Sequence, residues 1–303
     1  MDTVLVTGGT GHLGRDLVAR LKGSYRVRLL ARSSGSDPDV EWVRGDLATG
    51  EGIADALAGS QTAIHAATLS PAARRGYFVP KDLWSSPGDV DREGTARLLE
   101  GAAAAAVGHI VYVSIVGIDK PRIPYLRRKL EAENLIRSNP VPWSIARATQ
   151  FHWLADRLFG KMARLPVVPL PANLPVEPVD TTDFADYLVD CVRKGPGGRL
   201  ADFGGPEVLT FREAFDQWRQ IRARTVRTLP FPLPRPLKDG AGAMSLTGPG
   251  SRRGIVTWAD WLRSHVRSWH PPLPWRPAGR TRRTDRHTPP ACPLSTSTPG
   301  RTT

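Results

Sequence analysis

Short runs of β-branched and other apolar residues alternate with longer amphipathic stretches through the first half of the chain. This alternation is typical of βαβ units and a parallel sheet. It predicts strands at Val4–Val6, Val27–Leu30, Glu41–Val43, Ala63–His65, Ile110–Val113 and Trp143–Ala146. It predicts helices near Leu13–Leu21, Gly52–Leu57, Val90–Ala106 and Leu126–Arg137. The predicted fold class is therefore α/β, with a doubly wound parallel sheet.

The pattern loosens after Arg147, where a series of prolines predicts loops: Pro166, Pro169, Pro171, Pro175 and Pro178. Helices are predicted to begin again near Thr182, at Thr210 and at Thr257. Thr210 and Glu213 form a capping-box pattern, in which each side chain accepts a backbone N–H of the other residue. The amphipathic stretch Trp258–Val266 is expected to close the fold. We therefore expect a core at 1–150, a smaller C-terminal lobe of the same α/β unit at 151–268, and a tail at 269–303.

The predicted tail differs from the rest of the chain in composition. It contains six arginines and one aspartate, so it contributes +5 to a formal net charge of +13. It is rich in Pro, Thr and Ser and lacks apolar periodicity, so it is expected to be disordered, because it cannot bury enough apolar surface to offset the entropy of ordering. A solvated extension is the preferred interpretation, and binding to nucleic acid is not expected.

Cysteine use and the two most apolar stretches indicate the compartment. Cys191 and Cys292 are too far apart in sequence to suggest a metal cluster or a disulfide framework. The N-terminus has no basic segment before its apolar run, so no signal peptide is predicted. Gly101–Ile118 divides at Gly108 into a helix end and a strand, so no membrane span is predicted. We expect a cytoplasmic protein without a bound metal.

The glycine loop, Thr7–Gly14, carries the most specific chemical signal in the sequence. An apolar strand runs into Gly8, Gly11 and Gly14 and then into a helix. In a Rossmann-type sheet, glycines at this spacing serve the tight turn, the approach of the backbone to a pyrophosphate, and the packing of helix on strand. Free N–H groups at the helix N-terminus favour the bound anion. The core is therefore predicted to bind a dinucleotide.

Two further positions indicate which dinucleotide is bound. Arg32 and Ser33 follow the end of the second predicted strand, where a carboxylate would be expected for NAD(H). A guanidinium offers two parallel hydrogen bonds to an anion, so these residues favour NADP(H) over NAD(H). Asp46, after the third strand, is positioned to accept a hydrogen bond from the adenine amine.

The chain resembles the atypical, NmrA-like branch of the short-chain dehydrogenase/reductase superfamily. The resemblance spans roughly residues 3–265 and rests on Thr7–Gly14, Arg32, Gly45–Leu47, His65–Ala67, Tyr112–Asp119, Tyr125–Lys129 and Arg147–Phe151. It implies a dinucleotide site that includes Thr7, Gly8, Gly11, His12, Leu13, Gly14, Arg32, Ser33, Asp46, Leu47, Ala66, Ala67, Lys129, Thr149 and Phe151. It also implies that Ser114, Tyr125 and Lys129 are the catalytic residues.

The chemistry of a hydride transfer fits these three residues. Hydride delivered to a carbonyl carbon leaves an alkoxide, which needs a proton donor beside the oxygen. Tyr125 supplies a phenol, and Lys129 follows one helical turn later, where its charge would lower the pKa of that phenol. Ser114, at the end of the fifth strand, would hydrogen-bond the same oxygen.

The sequence therefore favours an NADPH-dependent oxidoreductase that reduces a small carbonyl or quinone-like molecule. One alternative is a non-catalytic NADP(H) sensor, which would keep the dinucleotide site without turnover. Another alternative is a sugar-nucleotide epimerase or dehydratase. It is weaker because the proline-rich lobe shows no sequence pattern for binding a nucleotide diphosphate. The expected partner is a small-molecule substrate, and the pattern specifies no oligomeric state.

Overall fold

A parallel sheet, with helices packed on both of its faces, forms the first half of the protein. The computed structural model describes residues 1–68, 89–119, 124–232 and 252–266. The strands are β1 Thr3–Thr7, β2 Arg26–Ala31, β3 Val40–Arg44, β4 Thr62–His65, β5 His109–Ile115 and β6 Trp143–Ala148. The helices are α1 His12–Leu21, α2 Ile53–Leu57, α3 Thr95–Ala104 and α4 Pro124–Ser138. All six strands overlap the predicted ones.

The strand order is β3-β2-β1-β4-β5-β6, with every neighbouring pair parallel. This is the strand order of a doubly wound dinucleotide-binding sheet, so the predicted fold class is confirmed. The chain reverses its direction of winding between β1 and β4. Ligands of such sheets bind in the crevice outside the carboxyl ends of the strands at this reversal. The glycine loop, which follows β1, lies at this point.

Successive residues of the strands point to two separate cores. Val4 and Val6 pack with α1 in one cluster, whereas Leu5 packs with α2 and α3 in the cluster on the opposite face. These three side chains are completely buried, and each contributes about 1.5–3 kcal/mol of burial free energy. The period of two along the strand therefore fixes which side of the sheet each helix covers.

The second half of the chain extends the sheet and forms a smaller lobe. Its helices are α5 His152–Met162, α6 Thr181–Lys194, α7 Phe211–Ile221 and α8 Trp258–Ser264. Its strands are β7 Val168–Pro171, β8 Pro175–Val176, β9 Gly198–Arg199, β10 Phe203–Gly204, β11 Leu209–Thr210, β12 Thr228–Phe231 and β13 Arg252–Arg253. An aromatic cluster that includes Phe159, Phe215, Trp218 and Trp258 forms the core of the lobe. Thr210 and Glu213 form the capping box predicted at the start of α7.

The structure differs from the predicted elements at three places. The helix predicted at Val90–Ala106 begins with a π-helical segment, Asp89–Gly94, before α3. Helix α4 begins at Pro124 rather than Leu126, because proline fits the first helical position, where its missing N–H has no partner to lose. The predicted loop at Pro169 and Pro171 is the strand β7, which pairs with β12.

Prolines are tolerated in β7 because of the direction of its hydrogen bonds. The N–H groups of Val168 and Ala172 donate to Arg227 and Phe231 on the β12 side. The nitrogens of Pro169 and Pro171 alternate with these donors and point away from β12, so the missing N–H groups break no ladder bond.

Two sequence predictions concern residues that the structure does not describe. The tail 269–303 lies outside the described residues, and so does Cys292. Among the residues that are described, none of the helices has the length and apolar character needed to cross a membrane.

Candidate functional site

The carboxyl ends of the parallel strands open into a cavity of about 530 Å³. This volume is typical of a cavity that binds a small molecule or a cofactor. The cavity lies along the glycine loop and extends to the ends of β5 and β6 and to the start of α5. Most of the predicted site residues line it: Gly8, Gly11, His12, Leu13, Gly14, Arg32, Asp46, Leu47, Ala66, Ala67, Ser114, Tyr125, Lys129, Thr149 and Phe151. Thr7 and Ser33 are not in its wall.

Two glycines of the loop have no room for a side chain. Gly8 has a φ of 76°, and a Cβ there would lie 2.7 Å from the backbone nitrogen of Ala67. A Cβ on Gly14 would lie 2.2 Å from the carbonyl oxygen of Gly8. Both are far inside van der Waals contact, so this turn requires glycine. The turn brings the backbone of the loop and the N-terminus of α1 to the cavity wall, where an anion is favoured.

One end of the cavity is lined by Arg32 and Asp46. Arg32 is exposed, and within the described part of the chain no carboxylate pairs with it. A free guanidinium at this position is available to an anionic ligand group. The Asp46 carboxylate accepts a hydrogen bond of 2.9 Å from the backbone N–H of Ala48, which fixes the turn after β3.

The opposite end of the cavity is closed by the segment after β6. Thr149 is buried, and its hydroxyl donates a hydrogen bond of 2.6 Å to the carbonyl oxygen of Glu177. Phe151 occupies the N-cap position of α5, without a hydrogen bond from its side chain. The Glu177 carboxylate lies behind this wall and is completely buried, and among the described residues neither of its oxygens has a hydrogen-bond partner. Burial raises its pKa to about 7, although Arg253, 3.6 Å away, acts in the opposite direction.

Ser114, Tyr125 and Lys129 all line the cavity and are nearly inaccessible to solvent. Ser114 lies near the carboxyl end of β5, and its Oγ has no hydrogen-bond partner among the described residues. The Lys129 Nζ donates to the carbonyl oxygen of Val113 at 2.9 Å and lies 4.3 Å from the centre of the Tyr112 ring. Burial lowers the pKa of Lys129, whereas the carboxylates of Asp91 and Glu133 oppose that shift.

Sequence reasoning missed two polar residues beside this group. The Tyr125 hydroxyl lies 3.2 Å from Thr68 Oγ1, and Thr68 donates a hydrogen bond of 2.6 Å to Asp91 Oδ1. The same Asp91 oxygen lies 3.9 Å from Lys129 Nζ. Thr68 follows the carboxyl end of β4. Because ligands bind at this edge of the sheet, its position could have identified it as a candidate site residue. Asp91 lies in the π-helical segment, and the periodicity gives no sign of its position. We call Thr68, Asp91, Ser114, Tyr125 and Lys129 the polar corner.

A buried hydrogen-bond chain connects the glycine loop to Asp91. His65 Nδ1 lies 2.7 Å from the Thr7 hydroxyl, and His65 Nε2 lies 2.9 Å from the Thr95 hydroxyl. Thr95 donates its proton to the carbonyl oxygen of Asp91, so it must accept from Nε2. Burial, and then the charge of Lys129, lower the pKa of His65 to about 3, so the ring is neutral. Nδ1 therefore accepts a hydrogen bond from the Thr7 hydroxyl. This hydroxyl is part of the buried hydrogen-bond chain and does not line the cavity.

Helix α4, which carries Tyr125 and Lys129, is held against β6 by an ion network in which Arg147 and Glu133 are buried and Asp119 is exposed. Arg147 donates two hydrogen bonds of 2.7 Å to Glu133 and two of 2.8 Å to Asp119. Burial lowers the pKa of Arg147, but the two carboxylates outweigh it and keep the guanidinium charged. This network fixes α4 relative to the loop after β5, and so positions the polar corner.

Aromatic contacts define the remaining wall. The rings of His12 and Trp153 stack at 4.1 Å, which joins the glycine loop to α5. Burial, together with the charges of Arg15 and Arg157, lowers the pKa of His12. His152 does not line the cavity and is buried between Trp258 and Trp261. It is therefore not placed to act as an alternative proton donor.

The residues present fit a nicotinamide dinucleotide. The turn at Gly8 and Gly14, which only glycine allows, brings the loop backbone and the N-terminus of α1 to the cavity wall, where a pyrophosphate can bind, and Arg32 offers a free cation at one end. The unpartnered Ser114 Oγ lies at the other end. Across the described ranges, no group of three or more His, Cys, Asp and Glu side chains is placed to hold a metal ion.

Comparisons with known proteins agree with this geometry. Residues 8–194 match the family described as NAD(P)H-binding. The chain is 31% identical over 230 residues to a (4-alkanoyl-5-oxo-2,5-dihydrofuran-3-yl)methyl phosphate reductase of Streptomyces griseus, which covers 74% of this chain and 75% of the relative. It is 26% identical to the Photosystem II assembly factor Ycf39 of Trieres chinensis, over 76% of this chain and 72% of that protein.

A solved structure shows the same fold. A short-chain dehydrogenase/reductase superfamily protein from Agrobacterium tumefaciens with bound NAD superposes with a TM-score of 0.64. It covers 88% of this chain and 96% of its own, at 19% identity, which supports the fold alone.

Proposed function

The chain belongs to the NAD(P)H-binding family, and from this premise we propose that it is an NADPH-dependent reductase of a small carbonyl or quinone-like substrate. The observation that carries the proposal is that one cavity contains both the glycine loop and the buried group of Ser114, Tyr125 and Lys129. A site that only bound a dinucleotide would need the loop but no buried acid. The reductase relative from Streptomyces griseus supports the same class of reaction.

The preference for NADPH rests on Arg32. A dinucleotide whose pyrophosphate lies on the N-terminus of α1 extends its adenosine along the ends of β2 and β3. The exposed guanidinium lines the cavity there and has no competing carboxylate among the described residues. A 2′-phosphate would form charge-assisted hydrogen bonds with it, which a 2′-hydroxyl cannot match.

The proposed mechanism assigns a role to each buried residue. The glycine loop and Arg32 would hold NADPH, which would supply the hydride for the carbonyl carbon. Tyr125 donates its phenolic proton to the oxygen, so the product is an alcohol, and solvent later restores that proton. Ser114, whose Oγ has no other partner in the described residues, orients the oxygen by donating a hydrogen bond. The buried Lys129 ammonium stabilises the negative charge that forms on Tyr125.

A non-catalytic NADP(H)-binding regulator is the second candidate. The observation that favours it is the similarity to the assembly factor of Trieres chinensis, whose name gives no reaction. Such a protein would keep the glycine loop and Arg32 but would gain nothing from the proton donor Tyr125. The two candidates therefore differ in turnover and agree in cofactor binding.

The experiment that tests the proposal is a substrate screen. Purified protein is supplied with NADPH and a panel of aldehydes, ketones and quinones, and oxidation of NADPH is followed by its absorbance. We expect turnover with at least one class and a slower rate with NADH. Tight binding of NADPH without oxidation by any member of the panel would favour the regulator instead.

A further inference from the structure

The polar corner contains a buried carboxylate to which the proposed reaction assigns no role. The Asp91 side chain is only 1% exposed and lies in the π-helical segment Asp89–Gly94. Its Oδ1 accepts the Thr68 hydroxyl at 2.6 Å and lies 3.9 Å from Lys129 Nζ. A charge is costly to bury without such partners, so these contacts account for the carboxylate's place in the fold.

The contact with Asp91 fixes the direction of the neighbouring hydrogen bond. Thr68 has one hydroxyl proton, and it is donated to Asp91. Its oxygen is then an acceptor toward Tyr125, 3.2 Å away. Within this contact the Tyr125 hydroxyl is therefore the donor and Thr68 the acceptor.

Several charged or titratable groups surround Lys129. Of these, the Asp91 carboxylate has the strongest electrostatic effect on the ammonium, so it is the best candidate for its counter-ion. Glu133, one turn along α4, also opposes the effect of burial, but its two oxygens accept hydrogen bonds from Arg147. His65 on β4 is neutral, and Tyr112 on β5 presents its ring to the ammonium. Tyr125 lies on the same helix, one turn before Lys129.

We propose that Asp91 is a positioning residue of this site, which fixes Thr68 beside the Tyr125 hydroxyl and balances the charge of Lys129. The inference rests on the proposed reductase function for its effect on turnover, whereas its effect on Lys129 does not depend on that function. Once Tyr125 has given up its proton, the Thr68 hydroxyl can turn from Asp91 and donate to the phenolate. Asp91 thus connects the proton donor, the buried cation and, through Thr95 and His65, the glycine loop.

The first test reads the charge of Lys129 without any substrate. Lysine labelled with ¹³C at the ε-carbon is titrated by NMR in the whole protein, and Lys129→Arg assigns the signal. Asp91→Asn keeps the shape of the side chain and removes its charge, so we expect the pKa of Lys129 to fall by about one unit or more. Glu93→Gln, an exposed position in the same π-helical segment, is the control. An unchanged Lys129 titration in Asp91→Asn would overturn the charge-balancing role.

The second test uses turnover and remains available if Asp91→Asn does not fold. Thr68→Val removes the hydroxyl that accepts from Tyr125, whereas Thr68→Ser keeps it. We expect kcat to fall about tenfold or more in Thr68→Val, with the NADPH Kd changed less than about twofold, and to be retained in Thr68→Ser. In the pH profile of kcat, Asp91→Asn should also move the loss of activity at high pH to a lower pH, because Lys129 would lose its proton earlier. Equal kcat in all three Thr68 forms would contradict the positioning role.

The two tests separate this inference from the proposed function. If the wild-type protein shows no turnover, the reductase proposal fails, and the NMR titration still decides whether Asp91 balances Lys129. If the wild-type protein turns over, and Asp91→Asn changes neither the Lys129 titration nor the pH profile of kcat, the reductase proposal stands and Asp91 has only a structural role.

Discussion

The two ends of the cavity differ in the chemical groups that line them. The dinucleotide end consists of backbone and glycine, with Gly8 and Gly14 allowing no side chain and one exposed cation, Arg32. The polar corner consists of polar side chains, three of them ionisable, that come from four separate segments of the chain and are, except for Thr68, almost completely buried. The first end derives its specificity from shape, and the second from charges held out of water.

This difference determines how each end should respond to change. The glycines of the loop carry no titratable side chain, so their contribution to affinity depends on the space available to the ligand. A buried polar site depends on which groups hold protons, so its activity should vary with pH. The predictions that follow separate these two responses.

The largest effect on cofactor affinity is expected from a side chain introduced into the glycine loop. In Gly14→Ala the new Cβ would lie 2.2 Å from the carbonyl oxygen of Gly8, which forces the loop away from α1. We expect NADPH affinity to fall by about 100-fold, or roughly 3 kcal/mol, as measured by nicotinamide fluorescence. Gly108→Ala is the control, because its Cβ would meet an ordinary contact of 3.5 Å. If Gly14→Ala binds as tightly as the control, the loop does not hold the pyrophosphate.

A smaller and more selective effect is expected at Arg32. Replacement by Gln removes the charge at the end of β2 and leaves the loop intact. NADPH affinity should fall about tenfold, because a charged hydrogen bond contributes about 1.5–3 kcal/mol, and NADH affinity should hardly change. Arg26→Gln, an exposed arginine on β2 that does not line the cavity, should change neither. Equal losses for the two cofactors in Arg32→Gln would remove the assignment of a 2′-phosphate to this residue.

The smallest effect is expected at Glu177, which lies behind the cavity wall near Thr149, and it concerns the stability of the folded protein. Burial raises the pKa of Glu177 to about 7 in the folded protein, above its ordinary value. The folded state therefore binds more protons than the unfolded state between about pH 4.5 and 7, and stability is lost as the pH rises through that window. Glu177→Gln should raise the melting temperature at pH 8 by roughly 2–4 °C and have little effect at pH 4.

The exposed residue Glu100 provides the comparison for this last variant, because Glu100→Gln should alter the melting temperature at neither pH. A Glu177→Gln protein whose stability follows the same pH dependence as the wild type would show that Glu177 does not titrate in this window.

The sequence predicts the dinucleotide end far better than the polar corner. The glycine loop is local, since strand, turn and helix follow within a few residues, and their spacing alone specifies the fold. Tyr125 and Lys129 could be found because they lie one turn apart on α4. Asp91 could not, because it lies in a π-helical segment that periodicity does not reveal and meets Thr68 across 23 residues of sequence, whereas Thr68 could have been found from its position after β4.

The lobe shows a second limit of sequence reasoning. Pro169 and Pro171 argue for a loop, yet β7 accepts both because its donors alternate with them. Ser33 was expected at the cofactor and lies outside the cavity wall, while Thr7 uses its hydroxyl for His65. In each case the deciding factor is the direction of a side chain or an N–H group, which follows from tertiary contacts.

The most direct test of the account is a pair of measurements on Tyr125→Phe: the Kd for NADPH, and turnover with the best substrate of the screen. The variant keeps the ring and removes the proton donor, so the Kd should stay within about twofold while turnover falls by about 10²–10⁴-fold. Tyr25→Phe, at a half-buried tyrosine outside the cavity, should leave both values unchanged. A Tyr125→Phe protein that turns over at the wild-type rate would contradict the assignment of Tyr125 as the acid.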